Sequence, residues 1–108
     1  MTFEVNFSPQ AEQDVTEAVI YLHSHSPQSA RKWFRELKIL RKSLEVFPSR
    51  FPQFNNPRLG AAFYRVALHY SHKVIFRIDE QAKTICIVRV YHSARKPLES
   101  DEDIENSF

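Results

Sequence analysis

The stretch that decides the fold covers residues 70–97 and reads YSHKVIFRIDEQAKTICIVRVYHSARKP. Two long runs within it alternate between two sets of side chains, and β-branched and aromatic residues are frequent in both. This period of two is typical of β-strands, whose successive side chains point to opposite faces of a sheet. The polar residues 79–82 lie between the runs, so the stretch predicts an antiparallel hairpin with a loop of about four residues.

The alternation assigns each side chain of this hairpin to a face. In the first run one face holds His72, Val74, Phe76 and Ile78, and the other holds Lys73, Ile75 and Arg77. In the second run Ile85, Ile87, Arg89 and Tyr91 are predicted to alternate with Cys86, Val88, Val90 and His92. Cations and rings therefore occupy positions that would otherwise be apolar, which makes these two strands the first candidates for a functional site.

Two helices are predicted upstream, and both begin at a Ser-Pro dipeptide, at residues 8–9 and 26–27. A serine before the first turn accepts hydrogen bonds from free amides, and proline suits the first helical position. The first helix carries apolar residues at helical spacing as far as Leu22, with Asp14 on its polar face. The second is predicted to extend to about Phe47, with an apolar stripe of Ala30, Trp33, Phe34, Leu37, Leu40, Leu44 and Phe47.

Short strands at residues 2–7 and 62–68 complete the order β-α-α-β-β-β. This order predicts an α+β fold in which an N-terminal helical hairpin packs on one face of a small antiparallel sheet. We expect one domain over residues 1–98, because a chain of 108 residues suits a single core. Residues 99–108 are expected to form an acidic C-terminal tail.

The composition excludes several classes of protein. The single cysteine, Cys86, excludes an intramolecular disulfide and is predicted to be a small core residue. No apolar run approaches the roughly 18 residues that a membrane-spanning helix needs, and residues 2–7 are too short for a signal peptide. We therefore expect a soluble cytoplasmic protein that does not bind membranes.

The charges are strongly segregated along the chain. Residues 23–98 hold all 15 basic residues, whereas residues 99–108 hold five acids and no base. Four of the bases repeat at steps of four, three and four along the second helix: Arg31, Arg35, Lys38 and Lys42. Lys32 and Arg41 are expected to widen this line. Such a basic body suggests an anionic partner, although an ordinary solvated surface has the same signature.

The element order and the closing strings resemble the RelE/ParE superfamily of bacterial toxins. The strings are V-I-F-R-I-D at residues 74–79 and V-R-V-Y-H-S-A-R at residues 88–95, and the Ser-Pro start of the second helix also fits. The resemblance covers about residues 3–97 and is strongest to the ParE-like branch. It implies the toxin of a type II toxin–antitoxin, or plasmid stabilisation, module.

The resemblance also implies partners and a target. The partner would be a cognate antitoxin whose C-terminal segment wraps the toxin, with a toxin dimer or a larger assembly as a further option. A ParE-like member would inhibit DNA gyrase without being an enzyme, and so block replication. A RelE-like member would cleave ribosome-bound mRNA by attack of a ribose 2′-hydroxyl on the adjacent phosphate.

The nuclease alternative needs cations around the phosphate and a proton donor or acceptor. The candidates are Lys73, Arg95, His92 and Tyr91. RelE-like toxins place a further Tyr or His beyond the second arginine, but residues 97–101 read PLESD, which carries no ring and would repel RNA. This departure favours the ParE-like alternative.

Each candidate also has a purely structural interpretation. His92 can be a hydrogen-bonded strand residue, Tyr91 can lie at a sheet edge, and Arg77 and Arg89 can pair with Asp79 or Glu80. His23 and His25 lack further ligands, so neither a metal nor a cofactor is expected.

Three hypotheses remain open at this point. The favoured one is a gyrase inhibitor with a target-binding surface composed of Arg31, Arg35, Lys38, Lys42, Arg89, Tyr91, His92 and Arg95. The second is the mRNA endoribonuclease. The third is a basic nucleic-acid-binding module without toxicity, which predicts strongly salt-dependent binding to bulk DNA or RNA.

Overall fold

The computed structural model describes residues 2–54 and 64–94. Within these residues the chain forms β1 (Glu4–Phe7), α1 (Pro9–His25), α2 (Pro27–Ser43), a 3₁₀ turn (Pro48–Arg50), β2 (Arg65–His69), β3 (His72–Asp79) and β4 (Thr84–His92). The predicted order β-α-α-β-β-β and the α+β layout are confirmed. Residues 62 and 63 of the predicted second strand, Arg95 and the acidic tail 99–108 lie outside the described residues.

Both helices begin where the Ser-Pro dipeptides predict. The Oγ of Ser8 accepts a hydrogen bond from the amide of Ala11 at 3.0 Å. The Oγ of Ser26 accepts one from the amide of Ser29 at 3.2 Å. Because Ser26 closes α1 and opens α2, the two helices are joined without an intervening loop and form the predicted hairpin.

The end of α2 corrects the prediction that this helix continues to about Phe47. The helix ends at Ser43, and Phe47 adopts a left-handed backbone with φ 53° and is 74% exposed. Pro48 has no amide hydrogen, and its ring would clash with the carbonyl four residues earlier, so the helix cannot continue through this position. The carbonyl of Glu45 then accepts a hydrogen bond from the amide of Phe3 at 2.9 Å, which ties this segment to β1.

The sheet has the strand order β1-β4-β3-β2. β2, β3 and β4 are antiparallel neighbours, as predicted, whereas β1 pairs with β4 in parallel. The sheet is therefore mixed rather than wholly antiparallel. The helical hairpin lies between β1 and the rest of the sheet in the chain, so no tight turn dictates the direction of β1.

A β-bulge in β4 corrects the predicted alternation of its side chains. Ile75 pairs with Arg89 and the next residue, Phe76, pairs with Ile87, so Val88 is an extra residue in the ladder. An extra residue reverses the faces that follow it. Val90 consequently joins Ile85 and Ile87 in the core under the helices, and Tyr91 joins Cys86 and Val88 on the opposite face.

The two faces of the sheet carry separate apolar clusters. The main core lies between the helices and the sheet and includes Trp33, Leu37, Phe76 and Ile87. A smaller cluster on the other face contains Tyr64, Ile75, Val88 and Tyr91. Among the described residues no helix is long and apolar enough to cross a membrane.

Candidate functional site: a basic helix face and an aromatic groove

The four cations of the predicted line all lie exposed on α2. At about 100° per residue, Arg31, Arg35, Lys38 and Lys42 fall within an arc of about 60°. The buried residues of the helix, Ala30, Trp33 and Leu37, lie on the opposite side. None of the four cations forms an ion pair within residues 2–54 and 64–94. We refer to them below as the basic line.

The two residues that were expected to widen this line are engaged elsewhere. Arg41 donates hydrogen bonds from Nη2 and Nε to the carbonyl of Val5, at 2.9 and 3.3 Å. Its guanidinium also lies 6.0 Å from the ring centroid of Phe7, so it fastens α2 to the edge strand β1. Lys32 turns towards a groove beside the helix. The basic line is therefore narrower than the sequence indicated.

The groove, of about 640 Å³, separates the helical hairpin from one end of the sheet. Two tyrosines on opposite walls, Tyr21 of α1 and Tyr70 of the β2–β3 turn, are 64% and 59% exposed. Tyr70 has a left-handed backbone with φ 55°, a conformation that costs a bulky residue about 1 kcal/mol or more. Glu17 and Lys32 add one charge of each sign to the lining, which makes the groove amphipathic.

Trp33 also lines this groove, although only 4% of its surface is exposed. Its ring makes edge-to-face contacts with His69 and His72, at centroid distances of 5.0 and 5.1 Å. Nε2 of His69 lies 3.0 Å from the carbonyl of Trp33 and links α2 to β2. The indole Nε1 of Trp33 is buried and has no hydrogen-bond partner among the described residues. Trp33 was predicted to be core, and its second role as a groove residue was not foreseen.

Arg89 has a partner that lies far from it in the sequence. It was expected to pair with Asp79 or Glu80 if its role is structural, but it binds Asp14 on α1, Nε to Oδ2 at 2.7 Å and Nη2 to Oδ1 at 3.1 Å. The amide of Val90 donates to the same Oδ2 at 3.0 Å. Asp14, predicted on the polar face of α1, is thus buried because it satisfies the edge of β4 beyond the end of β1.

The candidates for RNA cleavage are divided between the two faces of the sheet. Lys73 pairs with Tyr91, and Tyr91 belongs to the cluster on the face away from the helices. His92 lines the groove on the helical side, with its ring 4.9 Å from that of His72. The described residues therefore do not bring Lys73, Tyr91 and His92 together. Arg95, the fourth candidate, lies outside the described residues.

The remaining nucleophile and possible ligands point to no further chemistry. Burial raises the pKa of the Cys86 thiol from its ordinary value of 9.0, and the nearby Arg77 acts in the opposite direction. A raised pKa leaves little reactive thiolate at neutral pH. No group of three His, Cys, Asp or Glu side chains in residues 2–54 and 64–94 is placed to hold a metal ion.

Comparisons with known proteins identify the family. The family model described as "ParE toxin of type II toxin-antitoxin system, parDE" matches residues 5–97. The toxin–antitoxin complex RelBE2 from Mycobacterium tuberculosis contains a similar chain, with a TM-score of 0.59 and 22% sequence identity over 85% of this chain and 99% of that one. At this identity the likeness shows a shared fold. No curated protein matches significantly. The chain belongs to the ParE toxin family of type II toxin–antitoxin systems.

Proposed function

We propose that this toxin inhibits DNA gyrase and so blocks replication, and that it serves in a plasmid stabilisation module. The observation that carries the proposal is the basic line on α2, four exposed cations without an ion pair among the described residues. Gyrase works on duplex DNA, so a complex of gyrase and DNA offers an anionic surface that matches such a line. Inhibition by binding requires no catalytic group on the toxin.

The predicted target-binding residues of β4, and Arg95 after it in the sequence, have different roles in this proposal. His92 stands at the groove, where its ring is partly accessible, and Arg95 follows it in the sequence. Both are proposed to contact the target. Arg89 and Tyr91 are largely buried, the first beside Asp14 and the second in the outer cluster. We assign to these two residues the support of the strand end.

The alternative of an mRNA endoribonuclease finds less support in the site. General acid–base catalysis needs its groups within hydrogen-bond reach of one reacting centre. Lys73 and Tyr91 lie on one face of the sheet and His92 lies on the other. A substrate phosphate would therefore meet only part of this set from either face.

A cognate antitoxin is the second partner that we propose, and the groove is its proposed docking site. The neighbouring RelBE2 structure is itself a toxin–antitoxin complex. The groove presents two exposed tyrosines, rings of the kind that anchor a bound peptide. Trp33 is the single tryptophan of the chain, so its fluorescence reports directly on the groove.

The experiment for the gyrase proposal uses the full chain, purified free of antitoxin and checked for folding by circular dichroism. We expect supercoiling by purified gyrase to be lost, or cleaved plasmid to accumulate, at near-stoichiometric toxin. Addition of the antitoxin should restore gyrase and shift the emission of Trp33. A fully active gyrase in the presence of folded toxin would refute the proposal. Cleavage of mRNA on ribosomes by the same sample would then favour the nuclease.

A further inference from the structure

We propose that the basic line on α2 binds the phosphate backbone of duplex DNA directly, rather than an acidic protein surface. This inference rests on the proposed function for the source of the duplex, which would be the DNA engaged by gyrase. The DNA contact itself does not require gyrase, so it can be tested with the toxin alone.

The spacing of the line fits an extended polyanion. A helix rises about 1.5 Å per residue, so the successive cations stand about 6.0, 4.5 and 6.0 Å apart along the axis and span about 16.5 Å. Duplex DNA carries one negative charge per about 1.7 Å of its axis, so a row of this length faces phosphates throughout. An acidic protein surface would have to present a straight row of carboxylates to match it.

Within residues 2–54 and 64–94, the surroundings of the line leave its four charges without an ion pair. The one acid of α2, Glu36, is partly buried and lies away from the line around the helix. Phe34, which was predicted in the core but is 42% exposed, packs under Lys38 with Nζ 5.1 Å from the ring centroid. This cation–π contact holds Lys38 over the surface without neutralising its charge. The four cations can therefore be neutralised by an external anion.

The geometry also predicts that the contact is independent of base sequence. Four cations within an arc of about 60° form one ridge, and phosphate contacts of this kind position a protein without reading bases. Two basic residues outside the ridge serve as matched controls. Lys32 turns to the groove, and Lys83 lies in the β3–β4 turn beside Glu80, with Nζ 3.6 Å from Oε2.

The test measures binding of the full-length toxin to a labelled duplex of about 20 base pairs by fluorescence anisotropy at several salt concentrations. Neutralisation of four phosphates predicts a slope of about −3.6 for the logarithm of the binding constant against the logarithm of salt. The variant R35Q/K38Q should reduce the steepness of the slope by about 1.8. The variant K32Q/K83Q loses the same charge and should keep the slope of the wild type. Circular dichroism confirms that each variant is folded.

Several outcomes would overturn the inference. If the two double variants weaken DNA binding equally, the net charge of the protein and not the basic line is responsible for the binding. Tighter line-dependent binding to RNA of the same length would point to RNA. No duplex binding at low salt, together with gyrase inhibition that still depends on the line, would assign the line to a protein contact. Duplex binding through the line with gyrase left active would instead refute the proposed function and leave this inference standing.

Discussion

The buried Asp14 on α1 and the largely buried Arg89 on β4 form an ion pair that closes the edge of the sheet where β1 ends. The two hydrogen bonds measure 2.7 and 3.1 Å, and the side chain of Asp14 is only 2% exposed. Ser8 also binds the edge of β4. Its amide donates a hydrogen bond to the carbonyl of Ile87, and its hydroxyl donates one to the carbonyl of Val88. The junction of β1 and α1 thereby satisfies the backbone of β4 that β1 is too short to reach.

Removal of Asp14 alone should therefore destabilise the fold strongly. We expect D14A to lower the free energy of unfolding by about 3 kcal/mol, because it leaves Arg89 without its buried partner. Urea denaturation measures the change, and E17A, at an exposed position on the same helix, should stay within about 0.5 kcal/mol of the wild type. In a double-mutant cycle with R89A, the loss of unfolding free energy in D14A/R89A should be smaller than the sum of the losses in the two single variants. Additive effects would show that the pair carries no coupling.

The left-handed residue Phe47 offers a stabilising substitution. Its φ of 53° is costly for an L-residue, and its exposed ring contributes little burial. We expect F47G to raise the free energy of unfolding by about 0.5 kcal/mol, since glycine adopts this conformation without strain. The neighbouring V46G, at an ordinary φ, should lower the same quantity by about 0.5–1 kcal/mol. Identical effects of the two glycines in thermal or urea unfolding would contradict this explanation.

Because the pKa of the Cys86 thiol is raised, we expect the protein to lose stability at high pH. Burial raises its pKa above 9.0, so the unfolded chain releases this proton at lower pH than the folded chain does. Stability from this group is thus fully present below pH 9.0 and is lost as pH rises through the folded pKa. The unfolding free energies of the wild type and C86A should diverge as pH rises above 9.0, with the wild type losing more stability. Parallel pH profiles would show that Cys86 is not responsible.

If the groove is the antitoxin site, substitution of a residue that lines it should weaken antitoxin binding selectively. Y21A removes an exposed ring from the groove wall and should weaken the binding of a C-terminal antitoxin peptide by about tenfold, because a docked peptide would bury this ring as an anchor. I20A is the matched control, since Ile20 is equally exposed on α1 but does not line the groove. Calorimetric titration of both variants provides the comparison. Equal affinities for Y21A and the wild type would place the antitoxin elsewhere.

Much of this fold could be predicted from local patterns. Ser8 and Ser26 mark the helix starts, and the alternation in β3 gives its faces correctly, because these features depend on neighbours in the sequence. The row of cations from Arg31 to Lys42 is also readable, since helical spacing alone places it on one exposed face.

The features that escaped prediction depend on contacts between distant parts of the chain. The bulge at Val88 leaves no mark in a run of alternating residues, yet it reverses the faces of Val90 and Tyr91. Asp14 resembles any exposed helical acid until the sheet edge, 75 residues away, is known. Lys73 and His92 both looked suitable for catalysis, and only the structure places them on opposite sides of the sheet.

The most direct test of the central claim compares two sets of variants in one gyrase supercoiling reaction. R31Q/R35Q/K38Q/K42Q removes the basic line, and K73A/H92A removes two groups proposed for the nuclease alternative. We predict that the first variant leaves gyrase active while folded, and that the second still inhibits it, although loss of the His92 contact raises the required concentration. Full inhibition by the first variant, or ribosome-dependent mRNA cleavage that disappears only in the second, would contradict the account.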